Sequence, residues 1–121
     1  MARMTRFAEV AAVRGAERHR RARGLAERCL EALGVLGYRA ALIGSLATDR
    51  FRLHSDIDIL VESRVDPAER AEVERVVAGI IRGAGIPYDL IFACDLTQEQ
   101  REAFEHDRVV ASRLREARAE A

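Results

Sequence analysis

The sequence predicts an α/β or α+β fold, a small sheet with helices packed on it and a helical segment at the N-terminus. Three observations carry this. Apolar residues recur at three- and four-residue steps through the first third of the chain, three short β-branched runs follow, and strong helix-start signals separate the second and third of those runs. Alternating strands and helices of this kind build a sheet covered by helices.

From Thr5 to about Leu36 the spacing of Ala22, Leu25, Cys29, Leu33 and Leu36 forms one apolar stripe of a helix. Gly15 and Gly24 lower its propensity, so two helices or one kinked helix are both expected solutions. Tyr38 to Ile43 reads as a buried strand closed by Gly44. Ser45 can then cap a short helix reaching about Phe51, and Arg52 to Ser55 is loop. Asp56 to Val61 is the second strand. Asp66, Pro67 and Glu69 stand as N-cap, first helical residue and third helical residue of a helix that turns Val73, Val76, Val77 and Ile80 inward and stops at Gly83 or Gly85. Pro87 to Phe92 is the third strand. Thr97 and Gln100 repeat the capping signal for a helix to about His106, and residues 111–121 form a charged helix or tail. The 121 residues form one domain with one core: an N-terminal helical segment over 1–36, a core over 37–110 and a tail over 111–121.

Composition narrows the class. Hydrophobic content of 49% suits a globular chain, and no apolar run approaches the ~20 residues of a membrane span. The N-terminus carries arginines rather than the apolar centre of a signal peptide, so a cytoplasmic protein without membrane association is expected. A formal net charge of +0 argues against a general nucleic-acid coat protein, and no direct nucleic-acid binding is expected. All 20 basic side chains other than histidine are arginine, which excludes lysine-based covalent chemistry. They cluster at Arg14, Arg18, Arg20, Arg21 and Arg23, at Arg50 and Arg52, and at Arg113, Arg115 and Arg118. Cys29 and Cys94 have no partner at metal spacing and read as two buried thiols.

The chemistry concentrates between Gly44 and Leu60, GSLATDRFRLHSDIDIL, and at Asp89 in PYDLIF. Side chains two apart on a strand point the same way, so Asp56 and Asp58 share a face opposite Ile57 and Ile59. Adjacent anions repel, and a hard divalent cation is the usual compensation. Gly44 permits a tight turn, and the Ser45 hydroxyl with the amides that open the next helix can bind phosphate. Each signal alone has a plainer reading: a Gly-Ser turn, or an acidic strand face in water. His54 reads most simply as a loop residue, and His19 and His106 lie among charges on helical faces.

Taken together, Gly44-Ser45 and Ser55-Asp56-Ile57-Asp58 match residue by residue the nucleotidyltransferase superfamily of DNA polymerase β. Within it the chain resembles the minimal nucleotidyltransferases of prokaryotes, whose signature is G-S followed by S-D-x-D. A looser resemblance runs from Met1 to about Val110 and includes YDLIFACDL with its closing helix. The resemblance implies a small mixed sheet, ATP as substrate and two Mg²⁺ held by Asp56 and Asp58. Asp89 would complete the metal site and take the acceptor's proton, while Gly44, Ser45 and Arg50 would hold the triphosphate. It further implies an antitoxin that silences a helical HEPN ribonuclease by attaching AMP to a tyrosine. Relatives often read G-S-x-A-R-G, whereas Thr48 and Asp49 stand here in place of the Arg and Gly, which implies weaker nucleotide binding. The alternative is a binding module that neutralises its partner by contact through the arginine-rich N-terminal helix.

Overall fold

The computed structural model describes residues 6–47, 56–105 and 108. Helix α1 spans Arg6–Val35 without interruption, 30 residues long. Gly15 and Gly24 are accommodated within it, and a Cβ at either would meet nothing within 4 Å. They are therefore positions of low propensity rather than breaks, at a cost of about 1 kcal/mol each that packing of the later turns offsets. Ala22, Ala26, Cys29, Leu30 and Leu33 are buried, while Leu36 falls beyond the helix and is exposed. A Schellman motif ends α1: the Tyr38 N–H donates to the Leu33 carbonyl at 2.9 Å and the Gly37 N–H to Gly34 at 3.0 Å, with Gly37 at φ +94°.

Strand β1, Ala40–Ile43, leads directly into the one-turn helix α2, Gly44–Ala47. Strand β2, Ile57–Val61, pairs antiparallel with β1, setting Ile43 opposite Asp58. Helix α3, Pro67–Ile81, then crosses over the sheet to β3, Tyr88–Phe92, which pairs parallel with β2. The sheet is mixed, in the order β1-β2-β3, as the resemblance implies. Both expected capping boxes form. The Glu69 N–H donates to Asp66 Oδ1 at 2.8 Å and the Asp66 N–H to Glu69 Oε1 at 2.9 Å. Ahead of α4, Gln98–Glu105, the Thr97 N–H donates to Gln100 Oε1 at 2.9 Å and the Gln100 N–H to Thr97 Oγ1 at 3.2 Å.

One face of the sheet is sealed by α1 and α3. Leu42, Ile57, Ile59, Val61 and Phe92 meet Val73, Val77, Ile81 and the buried stripe of α1 in one apolar cluster. Val76 and Ile80, expected to point inward, are only partly buried at its margin. Two of the N-terminal arginines are engaged within the fold: Arg21 Nη2 donates to the Ala84 carbonyl at 2.8 Å and Arg18 Nη1 to that of Gly85 at 3.4 Å, tying α1 to the loop after α3. A 3₁₀ turn, Ala93–Asp95, follows β3. Arg70 of α3 pairs with Asp95 and lies 4.1 Å over the Phe92 ring. That turn lifts Cys94 out of the apolar pattern, so Cys94 is exposed and only Cys29 is the buried thiol expected of both. Among the described residues no helix is long and apolar enough to cross a membrane.

Candidate functional site

Asp58 and Asp89 are register partners across the parallel β2–β3 ladder, each the second residue of its strand. Register partners in a sheet project to the same face, and the odd-numbered residues of β2 occupy the other, sealed face. The two carboxylates therefore stand side by side on the face opposite the core. Asp56, one residue ahead of β2, adds its charge to theirs.

Gly44 completes this edge from the third side. It follows Ile43, the partner of Asp58, and adopts φ +76°, a left-handed conformation that disfavours any side chain. Its Cα packs against the acid: a Cβ there would come within 2.3 Å of Asp58 Oδ2 and 3.4 Å of its Cβ. Sequence reasoning assigned Gly44 a tight turn and missed this second role. No local signal carries it, because the contact depends on the β1–β2 register.

The Asp58 carboxyl is pushed up from 3.8 to about 6, first by burial and then by the charges of Asp89 and Asp56. Both causes penalise the anion, and both would be relieved by a cation. Three carboxylates are hard oxygen donors, so the set fits a divalent ion such as Mg²⁺ in donor type and charge. Among the described residues no group of three or more His, Cys, Asp or Glu already stands close enough to hold a metal. The fit is thus one of donor type and charge, with Asp58 and Asp89 on one face, rather than of ligand spacing.

Ser45 lies in the single turn of α2, directly beyond Gly44. Arg50, with Thr48, Asp49, Arg52, His54 and Ser55, lies outside the described residues, as do His106 and the 111–121 tail. The site forms where β1 ends and where β2 and β3 begin. Only Gly44 and Ser45 therefore obey the rule that open α/β sheets place ligands at carboxyl ends of strands. The acids sit at the opposite ends of β2 and β3 because β1 runs against them.

A family model described as "Nucleotidyltransferase domain" matches residues 22–119 of the chain. A comparison with curated proteins finds no match.

Proposed function

Because the chain belongs to the nucleotidyltransferase domain family, we propose that it moves AMP from ATP, in the presence of Mg²⁺, onto a hydroxyl of a protein partner. The partner in this reading is a helical HEPN-type ribonuclease toxin, the acceptor one of its tyrosines, and the role of this chain that of antitoxin. The observation that carries the reading is the pairing of Asp58 with Asp89 beside Gly44, with Asp58 burdened by its neighbours' charge.

In the transfer, the acceptor oxygen bonds to the α-phosphorus, the bond from that phosphorus to the bridging oxygen breaks, and pyrophosphate leaves. Asp89, the more exposed of the paired acids, accepts the proton of the hydroxyl. Asp56 and Asp58 would hold the divalent ions together with Asp89, and Gly44 keeps the Asp58 carboxylate seated at the strand end. Bound divalent ions supply charge neutralisation at the attacking and leaving oxygens. Ser45, with Arg50, would hold the outer phosphates. Positioning of the acceptor supplies much of the rate in such a reaction, so the chain alone with ATP and Mg²⁺ should turn over little.

A second reading, neutralisation by contact, is favoured by one observation. Val10 and Val13 of α1 are 41% and 57% exposed beside Arg14 and Glu17, an apolar strip a partner helix could cover. One experiment separates the two: purified chain and ribonuclease partner are mixed with and without ATP and Mg²⁺, and the partner's intact mass and RNA cleavage are followed together. Transfer requires a gain of AMP mass that tracks loss of cleavage. Protection indifferent to ATP and to Asp56, Asp58 and Asp89 would establish contact alone.

A further inference from the structure

Strand β3 is an edge of the sheet, and among the described residues nothing pairs with its outer side. The Ile57 N–H donates to the Pro87 carbonyl at 2.9 Å. With the two-residue period of a strand, Pro87, Asp89 and Ile91 therefore turn their backbone groups to β2, while Tyr88 and Leu90 turn theirs outward. Such a row of outward N–H and C=O groups is a template for another strand. Alongside it runs a groove of about 1020 Å³ between β3 and α3, floored by Ala78 and Gly79 and flanked by Tyr88, Leu90, Arg75 and Arg82. Glu74 is the one acid among its lining residues, so the groove carries a net positive charge.

We propose that the acceptor docks as an extended peptide segment added antiparallel to the β3 edge, with its hydroxyl-bearing residue opposite Asp89. The inference rests on the nucleotidyl-transfer reading and names how that site receives its substrate. Asp89 bonds inward, so the residue facing it belongs to a non-hydrogen-bonded pair, the closer of the two kinds, with Cα atoms about 4.5 Å apart. Its side chain projects to the face that holds Asp89 and Asp58. The residues on either side of it bond to Tyr88 and Leu90 and turn into the groove, where the arginines favour an acidic side chain and Ala78 and Gly79 leave room for an apolar one. The backbone thus supplies affinity and the groove specificity. The bond made and broken are those of the transfer above, with ATP as the co-reactant.

The test uses the full chain and the heptapeptide Ac-Val-Thr-Glu-Tyr-Val-Thr-Val-NH₂, with a twin N-methylated at the Glu and Val amides flanking the Tyr. The twin keeps every side chain and carries N-methyl groups in place of the two N–H donors that would meet β3. Peptide binding is read by fluorescence anisotropy and by hydrogen exchange at the Tyr88 and Leu90 amides, and transfer by AMP label on the peptide. The plain peptide should bind, slow exchange at those two amides, and bind about tenfold or more tightly than its twin, as loss of two hydrogen bonds implies. Binding should persist in Asp89→Asn, which separates docking from chemistry: binding without label in the native chain would count against the transfer reading and leave the docking established. Equal binding of both peptides, no binding, or binding without protection at Tyr88 and Leu90 would overturn the proposal. So would protection of these amides that grows with protein concentration alone, which would assign the edge to a second copy of the chain.

Discussion

Gly44 and Asp58 share one space: a Cβ on the glycine would stand 2.3 Å from Oδ2 of the acid. Gly44→Ala should therefore act twice, through strain at φ +76° of roughly 1–2 kcal/mol and through displacement of the carboxylate. Transfer should fall far more than stability. In Gly44→Ala/Asp58→Ala the clash is gone, so denaturant melts should show the alanine at 44 costing less than it does beside the native acid. Equal costs in the two backgrounds would mean that the contact has no energetic weight.

Asp58 sets a pH dependence of known sign. Its folded-state value of about 6 lies above the ordinary 3.8, so the folded chain holds the proton more tightly than the unfolded chain. Stability from this group is present below about pH 4 and is lost as pH rises toward 6. Asp58→Asn should raise stability at pH 8 by about 1–2 kcal/mol, a figure discounted for partial exposure, and leave it unchanged at pH 4. Thermal melts without metal at both pH values check this. Added Mg²⁺ should stabilise the native chain at pH 8 more than Asp58→Asn.

The two thiols should behave oppositely. Cys29 lies on the buried face of α1 and its thiol is pushed up to about 12, mainly by burial, whereas Cys94 is exposed on the turn after β3. A chromogenic disulfide reagent should titrate one thiol per folded chain quickly and the second only in denaturant. Replacement of Cys94 by Ser should abolish the fast phase.

Asp66→Ala removes half of the α3 capping box and should cost about 1 kcal/mol. Urea melts should shift with the slope unchanged, since α3 stays packed through Val73, Val77 and Ile81.

Helix starts were the most legible features, because Asp66-Pro67-Ala68-Glu69 and Thr97 with Gln100 satisfy their own backbone donors within one turn. The alternation that turns Asp58 away from Ile57 and Ile59 was likewise local, set by strand period, although β2 opens at Ile57 and leaves Asp56 just ahead of it. What local pattern does not carry is long-range. Asp89 was expected with Asp58 only through the resemblance, since the register that pairs them comes from the α3 crossover, and the Gly44–Asp58 contact, set by antiparallel pairing of β1 with β2, stayed hidden. Continuity of α1 through Gly15 and Gly24 depends on packing, to which propensity is blind. Cys94 was misplaced because the apolar run through Phe92 and Ala93 continues past the point where the chain leaves the sheet.

The central claim is that the acids at the starts of β2 and β3 act together on one phosphorus. Its most direct measurement is transfer of AMP from α-labelled ATP to the proposed helical partner by the native chain, Asp58→Asn and Asp89→Asn, each shown folded by circular dichroism. Both variants are expected to lose on the order of 100-fold or more in rate, the scale of losing one charge-stabilising group. Labelling by either variant at the native rate would contradict the account.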